Sequence, residues 1–109
     1  MKKGDITFDV DMVIEIPRGC SFKYEYDSTC DALRFDRFLP FQMPCNYGYI
    51  PNRVAPDGDF LDVILLSRHG FAPGCRVRVK VIGLFAMRDE KGRDDKLVVV
   101  IGDELGGVS

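Results

Sequence analysis

From Met12 to Ile16 the chain alternates, with Met12, Ile14 and Ile16 on one side and Val13 and Glu15 on the other, until Pro17 stops the run. A period of two predicts a strand. Beyond the turn residues Arg18-Gly19 the alternation resumes from Phe22 to Tyr26; Phe22, Tyr24 and Tyr26 share one face, Lys23 and Glu25 the other. Leu33 to Phe38 is a third candidate strand, after the polar turn Asp27 to Asp31. The continuous apolar run Val63 to Leu66 suits a strand buried on both faces. Arg76 to Val81 alternates most cleanly, with Val77, Val79 and Val81 opposite Arg76, Arg78 and Lys80. Leu97 to Ile101 completes the set with β-branched residues. Turn signals fall between these runs at Asp57-Gly58, Pro73-Gly74 and Lys91-Gly92. No stretch keeps a 3.6-residue pattern for more than about two turns. The expected fold is mainly β: a small OB-like barrel of five or six strands, closed or partly closed, since closure removes exposed strand edges.

Two acidic segments border these strands. Asp57, Asp59 and Asp62 lie within six residues, at the start of the Val63 strand. Ionised carboxylates packed this closely repel one another, and a hard divalent cation with oxygen ligands relieves that repulsion. Taken alone, the segment fits a solvated Asp-Gly hairpin turn equally well. An EF-hand loop is excluded, because glycine stands second instead of sixth and no flanking helices are evident. The second segment runs from Asp89-Glu90 to Asp94-Asp95-Lys96, and by itself reads as an exposed charged hairpin. Two such loops meeting at one end of a barrel would form a multi-metal site. Lys23, Arg37 and Lys96 sit near Glu25, Asp36 and Asp95, either as surface ion pairs or, with metals, as holders of a phosphate-rich anion.

Composition narrows the field. The 109 residues suffice for one domain, spanning 1–109, with a modest core; 46% are hydrophobic, which excludes a disordered chain. The formal charge of −2 does not suggest a nucleic-acid partner held by charge. A barrel that binds single strands has one hint in its favour, the strip Arg76, Arg78, Lys80 near Phe71 and Phe85. Clustered carboxylates oppose that reading. Cys20, Cys30, Cys45 and Cys75 form no CxxC pair, so four free thiols in a reducing cytoplasm are expected. No apolar stretch is long enough for a signal peptide or a membrane span. His69, beside Gly70, reads as a loop residue without a role.

Taken in order, the segments resemble family I soluble inorganic pyrophosphatases. The resemblance is carried by Val13-Ile14-Glu15-Ile16-Pro17, Lys23-Tyr24-Glu25-Tyr26-Asp27, Asp36-Arg37, Pro44-Cys45-Asn46-Tyr47-Gly48-Tyr49-Ile50-Pro51, the Asp57 to Val63 segment and the Asp89 to Lys96 loop. Six segments in the correct order, from about Met12 to Ile101, are far more specific than any one of them. The resemblance implies hydrolysis of pyrophosphate to two phosphates by in-line attack of a metal-bound hydroxide, with several Mg2+ ions for which other divalent metals can substitute. It implies that Asp57, Asp62 and Asp94 bind the principal ions, that Asp62 bridges two of them, and that Asp89 joins Asp94 at a further metal. Glu15 and Glu25 then hold metals directly or through water. Asp59 orients and deprotonates the attacking water; Lys23, Arg37 and Lys96 bind phosphate; Tyr47 supports the water network and the substrate; Glu90 has a supporting place. A homo-oligomer is implied as well, hexameric if the chain is like the bacterial members.

Three departures stand out. Met43 occupies the place of a tyrosine, which implies one lost phosphate contact, and Phe60 replaces a proline, with consequences for loop stiffness or for packing beside the metals. The sequence ends at Ser109 without the C-terminal helices and the Tyr-Lys pair of the family. The expected barrel therefore has those helices largely missing, and a flank that is exposed, self-associated or covered by another subunit. A degenerate or truncated relative that binds metal and phosphate with weak or no turnover is the competing expectation, and the sequence is equally that of a naturally short chain or of a piece of a longer one.

Overall fold

The computed structural model describes residues 8–54, 58–90 and 92–102. Its regular elements are strands: β1 (Phe8–Ile16), β2 (Phe22–Asp27), β3 (Ala32–Phe38), β4 (Asn46–Val54), β5 (Phe60–Leu65), β6 (Arg76–Phe85), β7 (Arg88–Asp89), β8 (Gly92–Arg93) and β9 (Lys96–Val100). Five of them close into a barrel in the order β1-β4-β5-β9-β6. Numbered along the chain, the barrel strands run first, second, third, fifth, fourth, and β5 pairs with β9 in parallel while the other barrel pairs are antiparallel. The mainly β class and the closed five-stranded barrel agree with the sequence expectation. β2–β3 and β7–β8 are separate two-stranded ribbons outside the barrel.

The alternating residues fill the barrel. Met12, Ile14, Ile50, Val63, Leu65, Val79 and Val99 form the buried core. The other face of β1 is buried too. Val13 pairs with Tyr49, and β2 packs across β1. Between Ile14 and Ile16 the partner strand advances by one residue only, from Gly48 to Tyr47. Glu15 is thus the extra residue of a β-bulge, a device that re-aims a side chain. It explains how an acidic residue can be buried between two isoleucines.

β4 was not anticipated from the sequence. Gly48, Pro51 and Asn52 look like turn residues, yet each has a place in this strand. At Gly48 a Cβ would lie 1.9 Å from the Val13 carbonyl oxygen, so only glycine lets β1 approach so closely. Pro51 falls where pairing with β5 is interrupted, between Ile50 and Val54, and Asn52 takes a left-handed φ of 69° there. Buried Asn46, at the start of β4, ties two loops together. Its Oδ1 accepts the Arg18 and Phe71 N–H groups at 3.0 and 3.1 Å, and its Nδ2 donates to the His69 carbonyl at 2.8 Å.

β6 is longer than its alternating core, because Ile82 bulges between Val81 and Gly83 and the strand switches partners from β1 to β9. Arg78 and Lys80 do not form a bare basic strip: they pair with Asp11 at 3.3 Å and Asp9 at 3.1 Å across β1. The run Val63 to Leu66 is not buried on both faces. Val63 and Leu65 point into the core, whereas Leu66 lies past the strand end and is exposed. Ile82, Leu84 and Phe85 are likewise about half exposed, giving an apolar flank among the described residues. The cysteines are all free, as expected, and no helix among the described residues is long and apolar enough to cross a membrane.

Candidate functional site

The bulge, the outer ribbon and two loops bring charged residues together. Glu15, Lys23, Glu25, Arg37, Tyr47, Asp59, Asp62 and Asp94 line a single pocket of ≈ 800 Å³ at one end of the barrel. Lys96 lies beside it. Asp57 falls outside the described residues, and so does the side chain of Asp89, whose backbone belongs to β7.

The β2–β3 ribbon supplies the cations. Lys23 pairs with Arg37 while the next pair is Tyr24 with Phe35, so Asp36 is the extra residue of a bulge and Arg37 stands directly opposite Lys23. Like charges facing each other across an antiparallel pair are destabilising. An anion between them removes that cost. Asp36 reaches Arg37 at 3.9 Å, a long contact on an exposed side chain, worth little.

Pairing in parallel makes the two acidic segments converge. Val63 pairs with Leu97, which sets the preceding residues Asp62 and Lys96 side by side. Lys96 Nζ donates to Asp62 Oδ2 at 3.1 Å and to Asp94 Oδ2 at 3.2 Å, and sits 5.3 Å from the centre of the Tyr47 ring. Lys96 is only 8% exposed. Burial pulls its pKa down, but hydrogen bonds to Tyr47 and Asp62 and their charge outweigh that, and the net shift is upward. Tyr47 is pushed up mainly by burial, with the Lys96 hydrogen bond opposing. This corner therefore keeps a charged ammonium and a neutral phenol.

Glu15 is the perturbed acid. Burial raises its pKa from the ordinary 4.5 to about 7; Lys23 opposes the shift, while Asp62 and Glu25 add to it. A carboxyl raised in the folded state contributes stability that is complete below the unfolded pKa and is lost as pH climbs through the folded one. In metal-free buffer, unfolding free energy is thus expected to drop between 4.5 and about 7, by something on the order of 3 kcal/mol. Urea titrations across that window should give a flatter profile for Glu15→Gln. Parallel profiles in the two proteins would assign the slope to another group.

Oxygen donors dominate the pocket, and mutual repulsion among Glu15, Glu25 and Asp62 is the imbalance a hard divalent cation corrects. The donor chemistry fits such an ion. Among the described residues no three of His, Cys, Asp and Glu are drawn together at metal-binding distance, and Lys96 is the cation found between Asp62 and Asp94.

Other lining residues have no role assigned to them by the sequence. Phe60 stacks on Tyr49 with ring centroids 4.9 Å apart and planes 9° apart, and Tyr26 contacts both rings at 5.3 and 5.9 Å. The trio ties β2, β4 and β5 together beside Asp59. The effect of Phe60 on packing is therefore concrete. Arg93 also lines the pocket, although it reads in sequence as one member of a charge run. Met43 is fixed by its backbone instead, donating to Cys20 O and accepting from Gly19 N, each at 2.8 Å.

Comparison with known proteins follows the same residues. The family model described as inorganic pyrophosphatase matches residues 12–105. The inorganic pyrophosphatase of Thermus thermophilus is 47% identical over 97 residues, covering 87% of this chain and 55% of the relative. That of Aquifex pyrophilus is 46% identical over 99 residues, covering 89% of this chain and 56% of the relative. A crystal structure of the Thermus thermophilus enzyme superposes with a TM-score of 0.83 at 44% identity, covering 97% of this chain and 61% of that one. The chain thus spans a little over half the length of these relatives. With the family match running through both acidic loops and the barrel that joins them, this chain belongs to the inorganic pyrophosphatase family.

Proposed function

We propose that this chain is a magnesium-dependent inorganic diphosphatase that hydrolyses pyrophosphate to two phosphates. One observation carries the reading: opposed Lys23 and Arg37 share a pocket with Glu15, Glu25, Asp59, Asp62 and Asp94. Cations alone would suit any anion, and carboxylates alone any metal. Together they suit a metal complex of a polyphosphate.

In this reading Glu15, Glu25, Asp62 and Asp94 hold Mg2+ ions, joined by Asp57 and Asp89. Magnesium, when bound, neutralises phosphate charge and makes water more acidic. Lys23 and Arg37 grip the phosphoryl groups, and Lys96, hydrogen-bonded to the pocket residue Asp62, supplies a third positive charge. Asp59, at the threshold of β5, orients the attacking water and takes its proton on a carboxylate oxygen. Tyr47 keeps Lys96 in place and lends a hydroxyl to the polar network. No covalent nucleophile is required, because positioning and charge stabilisation supply most of the rate in phosphoryl transfer. A cytoplasmic setting and assembly into a homo-oligomer belong to the same reading, with the exposed Ile82, Leu84 and Phe85 flank supporting association.

A weaker catalyst that binds metal and phosphate is the second reading. It is favoured by Met43, which is absent from the pocket lining. Phosphate release from pyrophosphate separates the two. Magnesium should elicit multiple turnovers and chelation should stop them. Retained phosphate binding without turnover would select the second reading.

A further inference from the structure

We infer that Arg93, held in place by Asp95, is an additional phosphate-binding residue of this pocket. The inference rests on the hydrolase reading for the identity of its substrate, but its own evidence is separate. Arg93 lines the same pocket as Lys23 and Arg37, yet comes from β8, whereas those two come from the β2–β3 ribbon. An anion in the pocket is therefore met by positive charge from two independent elements.

Asp95 makes Arg93 more than a surface arginine. Its Oδ2 accepts from Arg93 Nη2, while its Oδ1 accepts the Met87 N–H at 3.2 Å. The Asp94 N–H donates in turn to the Met87 carbonyl at 2.9 Å, closing the base of the β7–β8 ribbon. The Asp95 side chain is 19% exposed and that of Arg93 67% exposed. One edge of the guanidinium is thus anchored by a carboxylate that is itself fixed to the backbone. A guanidinium has five N–H donors in a planar fork, and the Asp95 contact engages one nitrogen. That planar fork matches two phosphate oxygens at once.

The charge balance of the pocket gives this residue a purpose. Lys96 already serves two carboxylates, Asp62 and Asp94. Arg93 adds a positive charge to the same pocket wall as Asp94, available to phosphoryl oxygens that Lys23 and Arg37 leave unmet.

The test measures inorganic phosphate binding by calorimetry in magnesium, alongside KM and kcat for pyrophosphate, in Arg93→Gln, Arg93→Lys and Asp95→Asn. Arg93→Gln should weaken phosphate binding and raise KM by about five- to tenfold, with the loss falling more on KM than on kcat. Arg93→Lys restores charge without the fork and should recover only part of that loss. Asp95→Asn should raise KM by about two- to threefold through a less ordered guanidinium. Phosphate affinity in Arg93→Gln equal to that of the parent would overturn the inference. A parent that binds phosphate through Arg93 yet releases none from pyrophosphate would overturn the hydrolase reading and leave this one standing.

Discussion

Gly48→Ala is expected to be the most damaging single substitution in the barrel. The added Cβ would fall 1.9 Å from the Val13 carbonyl oxygen and 2.9 Å from its carbon, both backbone atoms of the neighbouring strand. A flexible side chain could move aside; a paired strand cannot. Relief requires β1 and β4 to separate where Ile14 pairs with Gly48, and that motion opens the core at Met12 and Ile14 and disturbs the bulge at Glu15. The cost should exceed about 3 kcal/mol, beyond ordinary overpacking. For a chain of this size it lowers the melting temperature by roughly 12 °C or more. Pocket and fold should fail together, since Tyr47 and Glu15 flank this contact. Thermal unfolding of the alanine variant within a few degrees of the parent would mean that the two strands are not packed as described.

Asp59→Asn should produce the largest loss of activity at the least structural cost. Asparagine keeps the shape of aspartate but cannot accept a proton from water at neutral pH. Asp59 is exposed, lines the pocket and stands just ahead of β5, and asparagine preserves its size. General-base catalysis is typically worth about 10²- to 10⁴-fold, and kcat should fall by that amount. Magnesium affinity and melting temperature should stay near those of the parent. Turnover equal to the parent's would remove Asp59 from the role of base. A matching loss of magnesium binding would instead make it a ligand.

All six strands anticipated from the sequence are present: β1, β2, β3, β6 and β9 were legible from alternation or β-branched content, and β5 from its continuous apolar run. β4 was not. Its sequence Asn-Tyr-Gly-Tyr-Ile-Pro-Asn-Arg-Val contains three residues that ordinarily break strands, and their reasons for being there lie across the barrel. Glycine at 48 answers to the Val13 carbonyl; proline at 51 answers to a gap in pairing with β5. Leu66 shows the reverse error. Its apolar neighbours suggest burial, but two-sided burial needs a covering layer, and among the described residues its outer side has none close enough to bury it.

The sequence by itself determined six of the strands, the acidic loops, and the candidate acids and cations, since periodicity and residue chemistry are local properties. Only the tertiary structure decided which of them meet. Asp62 and Lys96 are brought side by side by parallel pairing of β5 with β9, and Lys23 faces Arg37 because Asp36 is bulged out of register. The raised pKa of Glu15 likewise depends on burial and on carboxylates from other strands. Such meetings depend on register and closure, which no window of neighbouring residues encodes.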